Sequence, residues 1–211
     1  WTWSKTKLVA GDFSGDGTDD LAAMYDYGNG LTKVWFFYNN GPGTLTPYLA
    51  WTSSPGGWTW ANTKLVAGDF NGDGVDDLAA MYDYGEGLSK VWFFYTNKAT
   101  RTASAHLAWT SSPGGWTWAK TKLVAGDFSG DGTDDLAAMY DYGGGLTKAW
   151  FFYNNGPGTL TPHLAWSSNQ GSWTWSKTKL VAGDFSGDGV DELAAMYDYG
   201  GGLTKAWFFY N

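Results

Sequence analysis

The sequence predicts an all-β protein, a β-propeller built from four repeats of about 57 residues with four antiparallel strands per blade. Three observations carry this. Trp1-Thr2-Trp3 recurs as Trp58-Thr59-Trp60, Trp116-Thr117-Trp118 and Trp173-Thr174-Trp175. An Asp/Gly-rich loop opens at Asp12, Asp69, Asp127 and Asp184, at spacings of 57, 58 and 57 residues. Between the loops lie short aromatic and β-branched runs bounded by turn residues, and nothing has helical period. One domain over 1–211 is expected, with blades at about 1–57, 58–115, 116–172 and 173–211.

Taken in order, residues 6–12 form a short apolar segment that leads into the acidic loop. Residues 20–27 follow as a strand, then the turn Gly28-Asn29-Gly30, then a strand at 31–38. This strand is bulky on both faces, with Trp35 and Phe37 on one and Val34 and Phe36 on the other. It therefore has to be covered on both sides, as a blade between blades is. The small pair Ala22-Ala23 suits close packing. A turn at 39–43 precedes a fourth strand at 44–51, and Ser53-Ser54-Pro55-Gly56-Gly57 bridges to the next unit. The second copy replaces the 39–43 turn by Thr96-Asn97-Lys98-Ala99-Thr100-Arg101. The fourth copy reaches Asn211 without an outer strand, which an exposed blade edge tolerates. A small closed ring, a segment of a longer array and a ring shared between two chains all fit, so a homo-oligomer or continuation into further blades stays open. Because Trp1 already lies inside the repeat, a processed or trimmed chain is expected.

The acidic loops carry the chemistry. Each sets oxygen-bearing side chains at positions 1, 3, 5 and 9, with Gly at position 6 for the sharp turn and a position-7 carbonyl as a further donor. The expected metal ligands are Asp12, Ser14, Asp16, Thr18 and Asp20 in the first loop, and Asp69, Asn71, Asp73, Val75 and Asp77 in the second. The third has Asp127, Ser129, Asp131, Thr133 and Asp135, the fourth Asp184, Ser186, Asp188, Val190 and Glu192. Hard oxygen donors without His or Cys select Ca²⁺ over zinc or copper. The last acid falls at position 9 rather than the 12 of an EF-hand, and no helix flanks the loop. Ordinary Asp/Gly turns would not hold four polar positions at fixed offsets in four copies. The net charge of −8 is what four divalent cations would offset.

That charge excludes nucleic acid and anionic membrane as partners, and no apolar run is long enough to span a membrane. The chain has no cysteine, so disulfides and thiol catalysis do not arise. Weak calcium modules of this kind need millimolar metal, which favours a secreted or cell-surface location.

The run Gly-Asp-Phe-[Ser/Asn]-Gly-Asp-Gly-x-Asp-[Asp/Glu]-Leu followed by paired strands resembles the calcium blades of FG-GAP/VCBS-type propellers. The order of loop, strands and Gly-Gly-Trp linker is similar to that of propeller lectins of the Psathyrella velutina type and of accessory modules on secreted bacterial glycoside hydrolases. The resemblance covers all four repeats and implies structural Ca²⁺ in each blade, non-catalytic carbohydrate binding, and bacterial or fungal origin. Those lectins usually have seven repeats. Glu192 also departs from their last loop Asp, and its longer arm would alter that site.

Sugars stack on aromatic rings, and the chain has 15 Trp. Trp1, Trp3, Trp58, Trp60, Trp116, Trp118, Trp173 and Trp175 of the Trp-Thr-Trp pairs, with Trp51, Trp109 and Trp166, are the expected sugar-binding residues in clefts between blades. Blade packing is their alternative role, and the favoured one for Trp35 and its equivalents. Asp26 and Lys33, repeated as Asp83/Lys90, Asp141/Lys148 and Asp198/Lys205, read as a cross-strand ion pair in preference to a hydroxyl-binding pair. An enzyme is not expected: His106 and His163 stand where the first repeat has Tyr48, and the acids are nearly all committed to the loops or the Asp26 position. The alternative to a lectin is a protein-interaction, adhesion or self-assembly module, for which an open blade edge offers strand addition.

Overall fold

A computed structural model of the chain describes residues 1–156 and 158–210. Every sheet is antiparallel, and each repeat makes one. The first contains β1 (Thr6–Gly11), β2 (Asp20–Gly28), β3 (Leu31–Asn39) and β4 (Leu45–Thr52) in that order. The second repeats it with β5 (Thr63–Gly68), β6 (Asp77–Asp83), β7 (Ser89–Asn97) and β8 (Thr102–Thr110). The third has β9 (Thr121–Gly126), β10 (Asp135–Gly143), β11 (Leu146–Asn154) and β12 (Leu160–Ser167), and the fourth β13 (Thr178–Gly183), β14 (Glu192–Gly200) and β15 (Leu203–Phe209). Four meanders of this length, the last with three strands, are propeller blades.

The chain divides into two compact units, Trp1–Trp118 and Ala119–Asn211. In the first, the inner strands β1 and β5 and the outer strands β4 and β8 bring two blades together face to face. Phe13, Met24, Val34 and Phe36 of the first blade are fully buried, with Trp58, Leu78, Tyr82 and Phe94 of the second packed into the same core. In the second unit, Phe128, Met139, Ala149 and Phe151 meet Trp173, Leu193, Tyr197 and Phe209 in the same way. The alternating burial along β3 follows from its position: one face is sealed against the next blade and the other is half covered.

One local prediction needs correction. The Trp-Thr-Trp stretches are not plain linkers, for Trp3–Lys5, Trp60–Asn62, Trp118–Lys120 and Trp175–Lys177 each wind into a single 3₁₀ turn. The turn sets the second Trp on the neighbouring blade: the Trp60 indole N–H donates to the Met24 carbonyl at 2.9 Å, with the Lys7 ammonium 3.8 Å above its ring.

Candidate functional site

The acidic loops form four hairpins of one geometry. The first-position carboxylate accepts the loop's own amides: Asp12 takes Gly15 N–H at 2.7 Å, Asp16 N–H at 3.1 Å and Gly17 N–H at 2.7 Å. Asp69, Asp127 and Asp184 repeat the pattern. The fifth position caps the seventh, Asp16 Oδ1 accepting from Thr18 N and Asp73 Oδ1 from Val75 N. In the second loop, Asn71 Oδ1 also accepts from Asp73 N.

The ninth position lies deepest. Asp20, Asp77, Asp135 and Glu192 are all buried, and the three aspartates clamp the end of the third strand by accepting from Asn39, Thr96 and Asn154 N–H at 2.6, 2.6 and 2.7 Å. Glu192 uses its longer arm to accept from both Phe185 and Ser186 N–H. Burial pushes Asp77 up to about 8 and Asp135 up to about 6, and the neighbouring loop carboxylates add to the rise. The Phe70 amide and Ser129 hydroxyl ease this only in part, since no donor reaches the second oxygen of Asp77 or Asp135 with hydrogen-bonding geometry.

Among the described residues no three acids are drawn close enough to hold a metal, because the first-position carboxylates are turned onto the loop amides. The donor set is nevertheless all oxygen. Two buried carboxylate oxygens without partners are what a hard cation would satisfy. The residues fit calcium in kind.

The sequence did not single out the eighth loop position. Asp76 Oδ2 accepts from Asp12 N–H at 2.7 Å while Asp76 N–H donates to the Asp12 carbonyl at 2.9 Å, so the first loop is clasped to the loop of the second blade. Asp191 and Asp127 repeat the clasp. The recurrent Asp-Asp and Asp-Glu pair ending each loop was the available signal. The unique Lys98–Arg101 segment was also unassigned: Lys98 lies against Gly15, and Arg101 sits 4.4 Å over the Tyr48 ring.

The repeated tryptophans are mostly spent in packing. Trp58, Trp116 and Trp173 are only 5–6% exposed, and the indole N–H groups of Trp58 and Trp173 donate to Thr63 and Thr178 hydroxyls. Trp118 and Trp175 donate to the Met81 and Met139 carbonyls, as Trp60 does to Met24. Trp51, Trp109 and Trp166 are half-buried, edge-on to Trp58, Trp116 and Trp173. Only Trp1 and Trp3, at 66% and 87% exposed, turn open ring surface outward among these eleven. Trp1 walls a hollow of about 290 Å³ with Tyr25, Tyr27, Lys5 and Asp26.

The Asp26–Lys33 pair is not formed. Asp26 stands opposite Thr32 and Lys33 opposite Tyr25, which puts the two side chains on opposite faces of the sheet. Asp26 instead caps Gly28 N–H and meets Lys5 at 3.9 Å, and Lys33 rests over the Tyr27 ring. His106 and His163 are exposed on the outer strands.

This arrangement, acidic hairpins feeding antiparallel blades, defines a propeller-blade protein. The FG-GAP-like repeat model matches residues 12–80 and 127–195, more than half of the sequence, and the chain belongs to that family. No curated protein matches it. Among solved structures, a mutant Tc holotoxin pore of Photorhabdus luminescens aligns with a TM-score of 0.60 at 17% identity, over 98% of this chain and 9% of that one. At that identity the likeness concerns the fold, and the chain spans less than a tenth of that protein's length. No helix among the described residues is long and apolar enough to cross a membrane.

Proposed function

We propose that the chain is a non-catalytic binding module, stiffened by one Ca²⁺ in each acidic loop, and that its ligand is a protein surface rather than a glycan. One observation carries the choice of ligand. Most ring faces that a sugar would need are committed to blade packing, whereas Trp1, Trp3 and Leu8 on one blade and Val181, Met196 and Phe208 on another form broad apolar faces open to solvent. Broad exposed apolar patches are the mark of protein interfaces. Calcium in this reading neutralises each loop and holds the clasp between blades. Extracellular calcium modules bind in the millimolar range, so this reading favours a secreted or cell-surface setting. A catalytic reading has no support from paired acids, because the loop carboxylates are occupied with backbone amides.

The hollow at Trp1 favours a second reading, carbohydrate binding, since it joins an open indole to a carboxylate and an ammonium group. A glycan array on calcium-loaded protein, with a chelated control, separates the two. A blank array is expected. Binding to a defined sugar family that Trp1→Ala abolishes would replace the protein reading with the lectin one.

A further inference from the structure

We propose that the chain binds a second copy of itself head to tail, the open face of the first blade seating on the open face of the fourth. The inference rests on the protein-docking reading above and names its partner. The junction it requires is already built twice within the chain. Where the first blade meets the second, Phe13, Met24 and Phe36 lie fully buried under Trp58, Trp60 and Tyr82. Where the third meets the fourth, Phe128, Met139 and Phe151 lie buried under Trp173, Trp175 and Tyr197. The fourth blade presents the same first set, Phe185, Met196 and Phe208, at 47%, 56% and 45% exposure. The first blade presents the second set, Trp1, Trp3 and Tyr25, with Trp1 and Trp3 wide open.

The polar fittings match as well. At both internal junctions an indole N–H donates to a methionine carbonyl at 2.9 Å, Trp60 to Met24 and Trp175 to Met139. In each, a lysine lies 3.8–3.9 Å over that indole, Lys7 over Trp60 and Lys122 over Trp175. Trp3 is the unmated indole of this series, and Lys179 with the Met196 carbonyl is its unmated seat. Each copy therefore holds one complete half of each fitting. A contact between two different faces is heterologous, so association can continue beyond two chains.

Sedimentation equilibrium in calcium across a roughly hundredfold concentration range tests this. The mass is expected to rise from 23.0 kDa to twice that or more. Trp3→Ala and Met196→Asp change exposed positions, and each variant, with circular dichroism unchanged, is expected to stay monomeric alone. Mixed in equal amounts they should form a two-chain species, because one keeps its tail face and the other its head face. Lys179→Ala should weaken association by about 2–5-fold, the size of an exposed cation–π contact. A chain monomeric throughout, variants that still associate, or a mixture that fails to pair would overturn the proposal. A monomer that binds glycan through Trp1 would overturn the protein-docking reading too, whereas a monomer blank on the array would remove only the second copy as partner.

Discussion

At the level of single residues, the ninth loop position decides how the loops respond to charge. Asp77 is sealed from water, accepts one strong hydrogen bond from Thr96, and shares its loop with Asp69 and Asp73. In metal-free protein at pH 8, Asp77→Asn should raise stability by about 1–3 kcal/mol, since a neutral amide removes a buried charge that desolvation opposes. The same substitution should abolish that loop's share of any stabilisation by calcium. Thermal melts with and without calcium test both; a metal-free variant less stable than the parent would show that the carboxylate's backbone bonds outweigh its burial. The sequence made the ninth acid legible as a candidate ligand through spacing alone. It could not reveal the burial, which depends on the third strand closing over it. Nor could it reveal the eighth-position clasp, which joins residues 64 apart in the chain.

At the level of the element, the tight turns and the 3₁₀ staple set the blade-to-blade fit. A Cβ on Gly30 would stand 2.6 Å from the Gly56 Cα, and its φ of +69° is already left-handed. Gly28 has φ +87° but open space around it. Gly30→Ala should therefore cost about 2 kcal/mol or more and Gly28→Ala nearer 1, as read from urea midpoints. Equal costs would mean that backbone strain alone matters and that the close approach relaxes. The staple gives a second test. Trp60→Phe keeps most of the ring but deletes the bond to Met24 O and weakens the Lys7 contact, for an expected loss of about 1–2 kcal/mol. Strand order was readable because most apolar and turn positions recur from copy to copy. The staple was not, because a three-residue 3₁₀ turn has no periodicity to detect and Trp next to Gly and Ser resembles a linker. For the same reason the rings expected in sugar clefts were indistinguishable in sequence from packing rings: both roles use a large flat side chain at a repeated position. Asp26 and Lys33 failed for a simpler cause, since side-chain faces alternate and opposite register decides who meets whom.

At the level of the whole molecule, the loops make stability depend jointly on pH and calcium, and the sign can be worked out in advance. Asp77 and Asp135 have folded values raised from 3.8 to about 8 and about 6. A raised carboxyl binds its proton more tightly in the folded chain than in the unfolded one. Its stabilising contribution is therefore complete below about pH 4 and drains away as pH climbs through 6 and then 8. Chelated protein should melt highest near pH 5 and several degrees lower at pH 8.5. Calcium should reverse the slope, because a cation seated against these carboxylates favours their ionised form and competes with the proton. At pH 8.5 the melting temperature should rise with calcium concentration, while at pH 4.5 the same additions should do little. Scanning calorimetry in a chelator and in millimolar calcium, at three pH values, measures all of this. A chelated protein whose stability climbs from pH 5 to 8.5 would mean that the buried carboxylates stay ionised without metal. A melting temperature indifferent to calcium at pH 8.5 would remove calcium from the account and leave the clasps and staples to hold the blades alone.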